Sequence, residues 1–519
     1  MIGRLQATMA CDVRLQFRNG FYYATLAVTL FSVLIIRLLP ARDLSWLLPA
    51  IIVNNVIVTG FYFLSGLVLL EKGEGSLEAQ IVTPLRPREY LGSKVATLVI
   101  LSLCENVPLA LAMTGAHFQP GFMMAGIALG TAFFALAGFV IVTRYDSINA
   151  FILPSALVVA LLALPLLHYF GVGAGPLADA LMWLHPLQPT LLLLVAALSP
   201  TPAPAVGAAL ALGLAWIGFC AWLATHAFHQ FVVERVVAHP RYGQGRIVKG
   251  EVVAPVAYAP GSDRQAGAGS PVTRPFAFFT QALGPIDAKS VQRDEMLRWL
   301  IFAPFLLALV VRWVLPILLG AIQQWLGVDI SAYYPPVMGF IVLLMTPYLW
   351  GAVFGFLLLD QRDDQTLTAL QVTPLSARQY LAYRLGMPAL LAGVTTLLML
   401  PITGLFDLPW WTYGVLALSV ALMAPLTALA LATLAQNKVQ GLALMKAAGI
   451  VLFPPVVAYF VAQPWQWLLA ILPTWWPAQV LWHLQAGDHD WGWFLAGSLI
   501  FFSALLWWLA RRFDRVMHR

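Results

Sequence analysis

Long apolar runs and short polar breaks alternate along the whole chain. Twelve stretches hold enough consecutive apolar residues for a helix to cross a bilayer core, which takes roughly 20. They lie at about 21–39, 47–70, 93–114, 121–143, 148–170 and 205–231, then 299–320, 335–359, 381–405, 410–435, 441–462 and 492–510. Six fall in each half of the chain. The first twenty residues follow a different pattern. Arg4, Asp12, Arg14 and Arg18 alternate with Leu5, Met9, Val13 and Phe17 at four-residue spacing, which predicts an amphipathic helix lying on the bilayer, not a cleavable leader. The expected fold class is therefore an all-α integral membrane protein of about twelve transmembrane helices. Cytoplasmic surface helices accompany them.

The polar breaks carry a repeat. Residues 75–94 read GSLEAQIVTPLRPREYLGSK, and residues 365–384 read QTLTALQVTPLSARQYLAYR. Nine of these twenty positions are identical, where average residue usage gives about one or two. A tandem duplication is the simplest cause. Asp12 and Arg18 have counterparts in Asp287 and Arg293, at an offset of 275 instead of 290. The second half thus carries about fifteen extra residues in its first outer loop. Three units result: a first six-span repeat at 1–231, a flexible cytoplasmic linker at 232–285, and a second six-span repeat at 286–519. The linker is rich in Pro, Gly and Ala and lacks apolar periodicity. Because six is even, both repeats have the same orientation. Each half also has an outer segment of about thirty residues before its last span, bearing Pro186 and Pro189 in one half and Pro473 and Pro477 in the other. These read as half-inserted or interfacial helices.

Composition agrees with a membrane protein. Of 519 residues, 61% are hydrophobic and 10% charged, and mean hydropathy is +0.82. The net charge of +6 comes from loops. With the N-terminus in the cytoplasm, 26 of the 29 Lys and Arg fall inside, Lys438 and Lys446 among them, leaving Arg37, Arg42 and Arg312 outside. This bias satisfies the positive-inside rule, places both termini in the cytoplasm and leaves no reason to invoke nucleic acid. Cys11, Cys104 and Cys220 lack metal or disulfide spacing and read as packing residues. His226 and His229 lie three apart without a third ligand, so no metal site is expected. Most of the nineteen tryptophans read as interfacial anchors.

The repeated segment has a definite shape. Glu71-Lys72-Gly73-Glu74 ends the second span, residues 75–82 can form two helical turns, and Thr83-Pro84 stops them. A new helix follows, with Pro87 in its first turn. In the second copy the counterparts are Asp360 to Asp364, then Thr373-Pro374, then a start marked by Ser376 and Gln379. A short charged helix on rigid joints suits docking to a soluble partner and passing its motion into the spans.

This pattern, with V-T-P-L followed by R-x-Y-L, resembles the loop after the second span in ATP-binding-cassette exporter permeases of the second type, the fluoroquinolone-export kind included. The resemblance covers nearly the whole chain. It implies a bacterial inner-membrane subunit, itself not an enzyme, that pairs with ABC-type ATPase subunits, either two copies or a heterodimer. ATP and magnesium would sit on that partner. By position it assigns ATPase coupling to Asp12, Arg18, Glu71, Glu74, Glu78, Thr83, Pro84 and Arg88. In the second half it assigns Asp287, Arg293, Asp360, Asp363, Asp364, Thr373, Pro374 and Arg378. Two departures matter: both repeats are fused, and Glu78 is replaced by Thr368. The cargo implied is a hydrophobic or amphipathic small molecule, drug or lipid-like.

No phosphate-cradling loop of the G-x-x-x-x-G-K-[ST] kind occurs, and residues 243–250 are only the nearest approach. ATP chemistry therefore belongs to another polypeptide. Within the spans, Glu105 is the one deeply placed acid, beside Asn106. An ionised carboxylate there costs about 2.5–3.5 kcal/mol on insertion scales. Either a substrate or proton role, or a satisfied interhelical hydrogen bond, accounts for it. The same alternatives apply to its counterpart Thr395, to Thr396, and to Asn54, Asn55 and Thr59 in the second span. The rival class is an ion-coupled secondary transporter, which calls for buried ionisable groups in both halves. The sequence places none deep in a span of the second half.

Overall fold

The computed structural model describes residues 2–38, 45–81, 83, 86–115, 117–146, 148–172, 175–233, 295–326, 334–363, 377–452, 458 and 464–517. Among these residues the regular structure is helical throughout, without strands. That outcome follows from the solvent: in a bilayer every backbone N–H and C=O must be satisfied within the segment.

The first half opens with α1 (Ile2–Arg18), the surface helix, and α2 (Phe21–Leu38). There follow α3 (Ser45–Gly73), the short α4 (Ser76–Ile81), α5 (Pro87–Thr114), α6 (Pro120–Val142) and α7 (Ile148–Leu162). After α8 (Leu164–Tyr169) come α9 (Pro176–Leu184) and α10 (Gln188–Leu198), bent by 101° against each other, and then α11 (Ala203–Phe228). The bend falls at His185-Pro186-Leu187, the Pro-bearing outer motif, and the pair has the form of a broken span or re-entrant loop.

The second half repeats the order. Its helices are α12 (Glu295–Leu309), α13 (Leu315–Leu326), α14 (Tyr334–Asp363), α15 (Ala377–Thr403), α16 (Trp410–Ala421) and α17 (Met423–Leu434). They continue with α18 (Lys438–Leu452), α19 (Trp475–Ala486) and α20 (Trp491–Met517). Three pairs of helices begin 290 positions apart: Pro87 and Ala377, Pro120 and Trp410, Ile148 and Lys438. The duplication seen in one loop thus extends to element boundaries.

Ten described helices are long and apolar enough to cross a membrane, or eleven if the bent pair counts as one. Of the twelve expected spans, the first appears as a shorter apolar helix and the eleventh as α18, fifteen residues long. What the structure establishes is therefore an all-α, multi-pass membrane protein.

Within each half the second and fourth spans pack closely. A Cβ on Gly138 of α6 would sit 2.9 Å from the Phe61 carbonyl oxygen, and one on Gly351 of α14 would sit 2.6 Å from that of Ala424. Lipid tails are as apolar as Leu, so association here rests on close packing and hydrogen bonds instead of hydrophobic transfer. The halves meet along two seams. In one, α2 and α3 pack on α18, and Val439 and Ala443 join the core of the first half. In the other, α7 packs on α12. First span thus meets fifth span in both directions, the arrangement of a two-fold interface.

Some side chains depart from expectation. Cys11 and Cys104 are exposed, and only Cys220 is buried. Trp475 and Trp350 are buried instead of interfacial, while Trp410 and Trp493 are exposed.

Candidate functional site

The first repeated segment forms a jointed elbow. Helix α3 ends at Gly73, and Gly75 turns the chain with φ +69°, a left-handed conformation that a side chain disfavours. The six residues of α4 follow. Thr83 closes the turn by donating its hydroxyl to the Gln80 carbonyl at 2.6 Å. Helix α5 then starts afresh from an extended Arg86, with Pro87 in its first turn and the Glu89 carboxylate accepting the Arg86 N–H at 3.0 Å.

Behind the elbow lies a buried polar lock. The Lys94 ammonium, with no exposed side-chain surface, lies 3.0 Å from Asp12 Oδ1 of α1 and 2.6 Å from Glu71 Oε1 of α3. The second oxygen of each carboxylate is also held: Tyr90 OH donates to Glu71 at 2.6 Å, and Ser93 Oγ to Asp12 at 2.5 Å. Gln16 donates to Thr97 at 2.9 Å one turn further along. Surface helix, second span and third span are therefore bolted at one point. Lys72 adds a brace by donating to the Thr143 and Tyr145 carbonyls at the end of α6, at 2.7 and 2.9 Å.

This geometry divides the residues assigned to ATPase coupling. The Asp12 and Glu71 carboxylates face inward, where they share the buried Lys94 ammonium and accept from the Ser93 and Tyr90 hydroxyls. Glu74, Thr83, Arg88 and Arg18 are exposed, with Arg18 and Glu74 3.7 Å apart. Glu78 lies on α4, and Pro84 is outside the described residues. In the second half, Asp287, Arg293, Asp364, Thr373 and Pro374 are likewise outside them, while Asp360 and Asp363 lie on α14 and Arg378 on α15. Arg384, 290 positions after Lys94, is buried in the corresponding place.

A second polar site sits at the α2/α3/α18 seam. Glu105 is 1% exposed, and its Oε2 accepts from Thr59 and from Lys446, both at 2.9 Å. Lys446 Nζ also lies 2.7 Å from Oε1 and 3.1 Å from the Thr59 hydroxyl. Nearby, Asn55 donates to Asn106 at 3.0 Å, and Asn106 to the Ser102 carbonyl at 2.9 Å. Asn54 is exposed and takes no part. In the second half, Thr395 accepts the Trp350 indole N–H at 3.0 Å, and the buried Thr396 hydroxyl makes no hydrogen bond to protein.

Lys446 overturns two expectations. It belongs to the buried seam instead of the inner loop, and it places an ionisable group of the second half deep in the fold. A buried carboxylate draws in the nearest long cationic side chain, since the pair costs far less than either charge alone. The position of Lys446, two turns inside α18, is the signal the sequence offered.

At the end of the first half that carries the elbow, Arg86, Pro87, Arg88, Trp222, Thr225, His226 and His229 line an open cleft of about 450 Å³. His226 stacks on Trp222, with centroids 6.2 Å apart. No group of three His, Cys, Asp or Glu suited to a metal occurs among the described residues.

Comparison with known proteins matches each half separately. A family profile described as fluoroquinolones export permease protein family matches residues 3–236, and one described as fluoroquinolones export permease protein Rv2686c-like matches residues 287–510. Among curated relatives, the fluoroquinolones export permease protein Rv2686c of Mycobacterium tuberculosis (strain ATCC 25618 / H37Rv) is 29% identical over 236 residues, 45% of this chain and 92% of the relative. Rv2687c of the same strain, with the same description, is 32% identical over 195 residues, 37% of this chain and 81% of the relative. The relatives are thus each about the size of one half, and this polypeptide, with two permease repeats in tandem, belongs to the fluoroquinolones export permease family.

Proposed function

We propose that this chain is the complete membrane path of an ATP-driven exporter, with twelve spans in two like-oriented repeats joined by the 232–285 linker. Separate ABC-type ATPase subunits, two copies or a heterodimer, bind ATP and magnesium. They grip the elbow around α4 and the repeated segment at 365–384. The chain lies in the bacterial inner membrane with both termini cytoplasmic, and the cargo is an amphipathic or hydrophobic small molecule of the kind named for the relatives.

One observation carries this reading: the segment that forms the elbow is repeated in the sequence at 365–384, and its first copy is fastened through Lys94 to two spans and the surface helix. A loop that served only to orient the spans would need positive charge but no such fastening. Closure of the ATPase subunits on ATP binding would push α4, and the lock would carry that displacement into α3 and α5. Hydrolysis would reset it.

Co-purification with the candidate nucleotide-binding subunit tests the proposal. A stable complex whose ATP hydrolysis rises with an amphipathic drug supports it, and a chain that never associates with such a subunit refutes it. The ion-coupled rival gains one observation, since Glu105 and Lys446 supply one buried ionisable group from each half. It requires transport driven by an ion gradient without nucleotide.

A further inference from the structure

The Glu105–Lys446 pair differs from the lock at Lys94 in three respects. First, it joins the two halves, bridging 341 positions of sequence. Opening of this seam necessarily parts it. Second, Thr59, which bonds both partners, lies on a π-helical turn, Ile57–Tyr62, inside α3. Such single wide turns in otherwise α-helical segments are frequent at functional sites. Third, the Lys446 ammonium faces both oxygens of a single carboxylate, 2.7 Å from Oε1 and 2.9 Å from Oε2, whereas the Lys94 ammonium is shared between two carboxylates.

The surroundings supply an aromatic floor. The Lys446 ammonium lies 5.0 Å from the centroid of the Phe63 ring, and Phe63 stacks on Phe21 at 4.0 Å. Counting 290 positions, Glu105 becomes Thr395, capped by the Trp350 indole, and Lys446 becomes Ala156. The positions matching Glu105 and Lys446 therefore carry no ionisable pair.

We propose that Glu105 and Lys446 are the two poles of a recognition site for an aromatic zwitterion, a flat molecule with one carboxylate and one protonated amine. This rests on the export reading above. When the seam opens, the cargo carboxylate takes Lys446, its ammonium takes Glu105 with Thr59 as a further acceptor, and its ring lies on Phe63. The exchange replaces one ion pair by two, so no charge is stranded. A molecule with only one charge leaves the opposite pole buried and unpaired, which is heavily unfavourable. Selectivity for zwitterions follows from that asymmetry.

The test is equilibrium binding to the full chain in lipid nanodiscs, read by the intrinsic fluorescence of norfloxacin, its ethyl ester (ammonium only) and its N-acetyl derivative (carboxylate only). The wild type should bind norfloxacin at least about tenfold more tightly than either derivative. Lys446→Met should turn the preference toward the ester, and Glu105→Gln toward the N-acetyl derivative. The double variant Glu105→Gln/Lys446→Met, which strands no charge and keeps the packing, should lose discrimination among the three. The variants overturn the proposal if they keep the wild-type rank order or weaken all three probes equally, the behaviour of a latch. A wild type that binds none of the three also overturns it. The broader export reading is judged separately, by whether uptake of any amphipathic drug into vesicles needs ATP and the partner subunit.

Discussion

Replacing Lys94 by Met probes the lock most sharply. The substitution leaves the Asp12 and Glu71 carboxylates buried around a vacated ammonium that had stood 3.0 and 2.6 Å from them. Removing one partner of a buried pair costs about 3–5 kcal/mol, and the hydroxyls of Tyr90 and Ser93 remain as donors, so the lower end applies. About 3 kcal/mol corresponds to roughly a hundredfold shift toward a state in which α1 leaves α5. Hydrogen exchange over α1 should accelerate by on the order of a hundredfold. ATP hydrolysis by the reconstituted complex should continue at its basal rate without drug stimulation. The variant Asp12→Asn/Glu71→Gln/Lys94→Met strands no charge and should recover most of the protection. Lys94→Arg should be mild, because Arg384 holds the matching place in the second half. Unaltered exchange in α1 together with full transport by Lys94→Met would refute the reasoning.

Other perturbations separate structure from coupling. Glu74→Lys breaks only an exposed pair with Arg18, worth at most about 1 kcal/mol, so thermal stability should hold. Recovery of the ATPase subunit on co-purification should nevertheless fall at least about tenfold, and unchanged recovery counts against docking at α4. Gly75→Val forces a β-branched residue to φ +69° at roughly 1–2 kcal/mol and should lower drug-stimulated hydrolysis without preventing membrane insertion, read by turnover against protein level. Gly138→Leu drives a side chain against the Phe61 backbone at about 1–3 kcal/mol and should lower the melting temperature of the purified chain; an unchanged melting temperature would contradict the packing of α3 on α6.

The membrane fold was legible because a bilayer permits so few backbone solutions. Runs of apolar residues announce helices, and Thr83 and Pro87 announce the break after α4, whereas Gly75, expected within that helix, instead makes the left-handed turn before it. Pro186 likewise marked the sharp bend between α9 and α10. What escaped was pairing between distant charges. Orientation rules counted Lys446 among inner-loop cations because α18 begins only a few residues earlier at Lys438. Nothing local in the sequence connects it to Glu105. Asp12 and Glu71 were legible as special but not as buried. The clue was Lys94, a cation one turn after Tyr90 in the repeated segment and inside an apolar run, where an unpaired ammonium is not tolerated.

The central claim is that an outside motor moves this chain, and transport in sealed proteoliposomes tests it directly. Purified chain should carry drug only when the partner ATPase and ATP are both present on the inner-face side, with or without an ion gradient. Transport by the chain alone, energised by an imposed proton or sodium gradient in the absence of nucleotide, would contradict it.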